Sequence, residues 1–185
     1  MTRIVPAQSS LRMTLATFGL AIWLAGCGPA AKQYRQDSHM TQPDLTLWQA
    51  IDTLAQQIPF TKANIENLLS TQLFEDGNGP AGITQYYKSA PIPLSDGVVI
   101  ETVDLRIKRH GAHPGFMVLW LSGSCVGLDT VREHYGNVKI TDTPRGHSLD
   151  EVTSHTTALQ WGELSFSFKE RNPKCLSSVA FAAKK

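Results

Sequence analysis

The chain has 185 residues, of which 42% are hydrophobic and 18% are charged, and its formal net charge is +1. This composition is typical of a globular protein with room for one ordinary domain and its core. The basic residues are scattered along the chain, so the charge pattern excludes the electrostatic footprint of a nucleic-acid-binding protein.

The N-terminus has the three parts of a cleavable bacterial signal peptide. Arg3 and Arg12 supply positive charge, and an apolar stretch follows over residues 13–25. That stretch is shorter than the about 20 apolar residues that span a bilayer. The four residues Leu24–Cys27 resemble the bacterial lipobox, in which small residues admit the signal protease and the cysteine thiol accepts a diacylglycerol. We therefore expect Met1–Gly26 to be removed and Cys27 to carry lipid; the alternative is an ordinary secretory peptide with a chance cysteine.

The lipoprotein resemblance also implies a location. Several acyl chains on Cys27 would anchor the protein stably. The next residue is Gly28 rather than Asp, which in the enterobacterial pattern implies the outer membrane, with the domain at its periplasmic face. Residues 27–43 are polar and predict a flexible tether, and residues 44–185 predict one globular domain.

Two cysteines, Cys125 and Cys175, remain beside the lipidated one. In the oxidising compartment that export implies, an even pair predicts a disulfide, which would close a loop of about 50 residues and contribute roughly 4 kcal/mol in the chain-entropy model. The alternative is catalytic, because Gly123–Gly127 has the form of a nucleophile elbow with Cys125 at its centre. A disulfide would consume that thiol, and the alternating strand–helix pattern of such hydrolases is lacking. The sequence therefore favours the disulfide and a protein that is not an enzyme.

The histidines provide the other candidate chemistry. His110 and His113 form a close pair in a turn, and His147 and His155 could join them. A zinc site needs three or four ligands with defined second-shell partners. A turn between two strands carries polar residues in any case, and the sequence shows neither a zinc-protease motif nor a phosphate-binding loop. We expect no metal and no cofactor.

Hydrophobic periodicity predicts an α+β domain. Apolar residues recur at helical spacing over 47–58 and 61–73, and a shorter helix is expected over Leu128–Tyr135. The predicted strands show either an alternation of apolar and polar residues or a continuous apolar run. They are 83–89, 98–108, 116–121, 138–141, 156–160, 164–168 and 176–182. We expect a helical hairpin packed on one face of an antiparallel sheet, with the other face partly open. A tandem ααβββ-like duplication, with sub-repeats 44–122 and 123–185, is an open alternative.

This order of elements resembles two families. A helical hairpin followed by an antiparallel meander is the plan of the small lipoprotein subunit of the outer-membrane β-barrel assembly machine, and the doubled plan is that of the β-lactamase inhibitor protein. Phe60–Leu69 is similar to the helix start of those units, and Trp161–Phe168 and Cys175–Phe181 are similar to their closing strands. The resemblance implies a chain that binds proteins and catalyses nothing.

Aromatic residues suggest where a protein could bind. We expect Trp120 to lie in the core. For Trp161, the alternatives are a position in the core and an exposed one. A sheet face rich in Tyr, Trp and Arg would instead serve protein recognition, and its candidates are Tyr86, Tyr87, Arg106 and Trp161.

The functional prediction is a lipid-anchored outer-membrane protein that binds another envelope protein as an accessory of assembly or maintenance. The alternative within the same class is an immunity or inhibitor lipoprotein that neutralises a periplasmic toxin or hydrolase. A hydrolase dependent on Cys125 is the alternative from a different class.

Overall fold

The computed structural model describes residues 44–79, 82–110 and 113–184; the predicted signal peptide, Cys27 and the predicted tether lie outside these ranges. The helices are α1 (Leu47–Ala55), α2 (Lys62–Leu69) and α3 (Leu128–Tyr135). The strands are β1 (Leu73–Asn78), β2 (Thr84–Ser89), β3 (Ile92–Pro93), β4 (Val98–Lys108), β5 (Phe116–Gly123), β6 (Lys139–Asp142), β7 (Val152–Leu159), β8 (Gly162–Lys169) and β9 (Leu176–Ala183).

The strands form a single antiparallel sheet. Their order across it is β1-β2-β4-β5-β9-β8-β7-β6, and the short β3 pairs with β4. The first half of the chain supplies one group of neighbouring strands and the second half supplies the other. The two groups join where β5 pairs with β9, with Leu119 opposite Val179 and Met117 opposite Phe181. This pairing makes the two groups one continuous surface.

The hydrophobic core lies between the helices and one face of the sheet, which we name the inner face. Alternate strand residues point to this face because side chains of a strand alternate between its two sides. Phe166 of β8 is fully buried there, and its ring centroid lies 6.4 Å from that of Trp48 in α1 and 5.1 Å from that of Tyr135 in α3. Ile65 and Leu69 of α2 belong to the same core. All three helices therefore pack on the inner face.

Local hydrogen bonds fix where the helices begin and end. Thr46 caps α1 in a capping box with Gln49, and the Leu47 N–H donates to Oδ2 of Asp96 across 2.7 Å. The α2 helix ends at Ser70, whose φ of +47° is left-handed. Three residues on, the Leu73 N–H donates to Oε1 of Glu66 at 2.8 Å. This bond, followed by one from Lys62, holds the pKa of the Glu66 carboxyl below its usual value, so α2 and the start of β1 are tied together.

The predicted helical hairpin on a sheet is wrong, because the sheet dominates the fold. The sequence interpretation continued the apolar helical spacing of the second helix to residue 73. The left-handed Ser70 ends that helix earlier, and Leu73–Asn78 instead pairs with β2 as an edge strand. The ααβββ-like plan is also wrong: each half supplies four strands to the main order of the sheet, and the second half has one described helix.

We predict that Phe166→Ala lowers the free energy of unfolding by about 3–5 kcal/mol, because it empties the space where α1 and α3 meet the sheet. Urea denaturation followed by circular dichroism measures this change. The matched control is Phe74→Ala, at a side chain that is 58% exposed, where the change should stay within about 0.5 kcal/mol. Equal losses in both variants would contradict the placement of the core.

Candidate functional site

The second face of the sheet, which we name the outer face, carries an arginine held between two aromatic rings. Arg106 of β4 lies between Tyr86 of β2 and Phe116 of β5, its cross-strand neighbours in the register. The guanidinium carbon is 5.5 Å from the Tyr86 ring centroid and 5.4 Å from that of Phe116. These distances are those of cation–π contacts.

Asp104 fixes the orientation of this arginine. Its carboxylate accepts from Nε of Arg106 at 3.0 Å and from Nη2 at 2.8 Å. The double contact raises the pKa of Arg106, and two parallel hydrogen bonds of this kind add geometric specificity to charge. The Arg106 side chain remains 44% exposed. A rigid, exposed guanidinium is therefore presented to solvent between two rings.

Along β5, the outer face carries an apolar stripe made by Phe116, Val118 and Trp120. These three alternate with Met117 and Leu119, which are buried in the core on the inner face. At a rise of about 3.3 Å per residue, the stripe is about 13 Å long. Nζ of Lys169 lies 5.9 Å from the ring centroid of Trp120. The stripe therefore has a cation over the aromatic ring at each of its ends.

Small hydroxyl side chains cover the outer face beside this stripe. Ser154 on β7 shares a 2.9 Å hydrogen bond with Ser167 on β8, and two residues further along β7 Thr156 shares a 2.7 Å hydrogen bond with Ser165. Because these hydroxyls pair with one another across the strands, their hydrogen-bonding groups are satisfied within the sheet.

The structure brings together two of the four residues predicted to bind a protein. Tyr86 and Arg106 are in contact on the outer face. Tyr87 has the opposite orientation and packs against the core, as does Trp161, whose ring stacks on Phe181 at 6.1 Å. Trp120, which was expected in the core, is 37% exposed on the outer face. Sequence reasoning missed Trp120 and Phe116 because Phe116–Leu121 is apolar throughout, so no alternation marks which side chains face out.

Cys125 and Cys175 lie at disulfide distance, with their Cα atoms 5.0 Å apart and a sequence separation of 50. The predicted pairing is confirmed to this extent. Cys125 does lie between a strand and a helix, as the elbow hypothesis requires, but its sulfur is engaged with Cys175. The turn also has a structural role, because the Ser124 N–H donates to the Gly97 carbonyl at 2.9 Å and Gly123 has a left-handed φ of +79°.

Among the described residues, no three His, Cys, Asp or Glu side chains are grouped so that they could hold a metal ion. The described ranges also contain no helix with the length and apolar character needed to cross a membrane.

Comparison of the chain with protein-family models, with curated proteins and with solved structures found no match.

His155 is a buried polar residue on the inner face of β7. It is 8% exposed, and its Nδ1 has no hydrogen-bond partner within the part of the chain that the structure describes. Burial lowers its pKa, and the charge of Arg132 lowers it further. The ring packs edge-on against Phe168, with centroids 5.7 Å apart. The fold therefore disfavours the charged form of this imidazole.

We predict that the folded protein loses stability as the pH falls through the ordinary histidine range. The pKa of His155 in the folded state is below its usual value of 6.5, so the unfolded chain binds more protons below that pH and the free energy of unfolding decreases. Urea denaturation at a series of pH values from 7.5 to about 5 measures this. His155→Leu should flatten the profile, whereas the control His147→Gln, at an exposed loop residue, should leave it unchanged. An unaltered slope in His155→Leu would contradict this account.

Proposed function

We propose that this chain is a lipid-anchored envelope protein that binds another protein through the outer face of its sheet. The observation that carries the proposal is Arg106, held between Tyr86 and Phe116 and oriented by Asp104. Arginine and large aromatic residues dominate the energetics of protein–protein interfaces. An arginine that is already oriented loses little side-chain entropy when it binds a partner.

The placement of the helices supports the same proposal. The helices cover the inner face, whereas Phe116 and Trp120 remain in contact with solvent on the outer face beside the paired hydroxyl groups. Aromatic anchors with a polar surround are the usual composition of an interface core and its rim. We expect the partner to be a protein of envelope assembly or maintenance. The alternative partner is a toxin or hydrolase that the chain neutralises.

The disulfide supports binding over catalysis at Cys125. The thiolate is the nucleophilic form of cysteine, and a sulfur engaged with Cys175 cannot supply it. Reactivity of Cys125 would therefore require a reductant.

We predict that anchoring depends on Cys27. Cys27→Ser should remove the mass of the lipid and move the protein from the membrane pellet to the soluble fraction, as measured by intact-mass spectrometry and fractionation of the envelope. The matched control is the double variant Cys125→Ser with Cys175→Ser, which should keep the lipid. An unmodified Cys27 in the wild-type protein would rule out the lipid anchor. That result would not bear on the proposed binding surface.

We predict that a photo-crosslinking amino acid at position 116 captures one protein partner from the native envelope in defined stoichiometry. The same amino acid at position 133, an exposed residue of α3 on the helical side, should capture no such partner.

With the identified partner, Arg106→Ala should weaken binding about 30-fold or more, the size expected for a hot-spot residue, measured by interferometry.

The control for this substitution is Arg132→Ala, at a surface arginine of α3 paired with Asp129. It should leave the affinity unchanged within about twofold, because exposed ion pairs contribute little. Equal effects of the two arginine substitutions, or capture from position 133 alone, would overturn the assignment of the outer face.

A further inference from the structure

The Trp120 indole separates two clefts at one end of the outer face. Its cross-strand neighbours are Thr102 on β4 and Ser178 on β9, which are small enough to leave the ring exposed. One cleft, which we name the Trp120 cleft, has a volume of about 430 Å³ and extends from the ring toward Glu101 and Asn172. The second, the loop cleft, has about 460 Å³ and lies against the β6–β7 loop. Volumes of this size are in the range of small-ligand sites.

The Trp120 cleft combines one aromatic ring with planar polar groups. The Glu101 carboxylate projects from the bulge in β4, where the register shifts between Ile100 and Thr102, and it accepts a hydrogen bond from the Ser122 hydroxyl. A carboxylate has room for several donors, so Glu101 retains acceptor capacity. Asn172 adds an amide with two donors and an acceptor. Flat groups beside an aromatic ring can pair with a ligand whose face is apolar and whose edge is polar.

The charged residues between the two clefts are held in place. Asp150 accepts from Nζ of Lys169 at 3.3 Å and from Nη2 of Arg171 at 2.5 Å. In the loop cleft, Asp142, Asp150 and Glu151 outnumber Arg145. The Trp120 cleft is lined in addition by Glu101 and by the basic residues Lys169 and Arg171. Acidic and basic side chains therefore nearly balance over the two clefts, which favours an uncharged ligand over a strongly charged one.

The walls of the Trp120 cleft are tied together before any ligand arrives. The Cys125–Cys175 disulfide links the segment after β5 to the segment before β9, and the Leu176 N–H donates to the Val126 carbonyl at 2.8 Å. Both segments line the cleft. A ligand therefore meets a preformed site and orders little of the protein on binding.

We infer that the two clefts around Trp120 bind an uncharged or N-acetylated oligosaccharide. The C–H face of one sugar ring would pack on the part of the indole that the Lys169 ammonium leaves exposed, and its hydroxyl groups would exchange hydrogen bonds with Glu101 and Asn172. Neighbouring rings of the oligosaccharide would extend into the loop cleft. An amphipathic ring such as indole, with an apolar face and hydrogen-bonding groups at its margin, fits such a ligand. Neither cleft includes Arg106, so the inference does not rest on the role proposed for that residue in protein binding.

The test is a titration of the full chain, purified from its native envelope and labelled with ¹⁵N-tryptophan, with chitotetraose and with cellotetraose. The indole signal of Trp120, assigned through Trp120→Phe, should shift with saturation at or below about 10 mM ligand. The signals of Trp48 and Trp161, which pack against the core, should stay in place. Asn172→Ala should weaken binding at least about fivefold, the effect of losing a hydrogen bond to the ligand.

Three results would overturn this inference: no shift with either oligosaccharide, a shift of all the indole signals together, or stronger binding of an acidic oligomer such as oligogalacturonate. Since Trp120 is exposed and Trp120→Phe keeps an aromatic ring, the variant should fold, which circular dichroism checks. The variant Arg106→Ala should bind chitotetraose as the wild type does. Loss of partner capture without loss of saccharide binding, or the reverse, distinguishes failure of one proposal from failure of the other.

Discussion

The pairing of β5 with β9 joins the two halves of the chain into one sheet. Without it the chain would consist of two separate groups of strands, each with an open edge and half a core. With it, Val179 and Phe181 of the second half join Leu119 and Met117 of the first half in one buried layer. The helices then have a single inner face to cover, and β5 becomes a central strand whose other side is the apolar stripe.

The constraint also explains why the outer face is suited to binding. A central strand such as β5 is apolar on its inner side because the core requires it, but its outer side contacts no helix among the described residues. Large residues there, Phe116 and Trp120, contribute little to the core. Each has a cation over its ring, and Arg106 is further fixed by Asp104. A binding surface would account for large, partly exposed aromatic residues at these positions.

The sequence predicted the elements whose patterns are unambiguous. The alternation in Val98–Lys108 and in Leu164–Phe168 identified β4 and β8, and the capped apolar period identified α1. The disulfide followed from counting cysteines. The edge strand β1 could not be predicted, because Leu73–Asn78 includes acidic residues, Gly and Asn, which are poor strand formers; it exists because β2 offers it a pairing edge. This tertiary contribution made the fold a sheet-dominated one.

The candidate site was predictable only in part, for a related reason. Tyr86 and Arg106 were identified as candidates from residue type, and strand register placed them side by side. Tyr87 could not be distinguished from Tyr86 without the register, since adjacent residues of a strand face opposite sides. Trp120 was hidden in an apolar run in which both faces look alike. The site therefore depends on which side of the sheet the helices cover, and single-sequence periodicity does not contain that information.

Hydroxyl-radical footprinting of the protein in its native envelope and after purification would show whether the outer face is covered by a partner. We expect Phe116 to be protected in the envelope, whereas Ile140, a 61% exposed residue on the edge strand β6, should react equally in both preparations. Equal reactivity of Phe116 in the two preparations, or protection confined to the helices, would contradict the claim that the outer face is the binding surface.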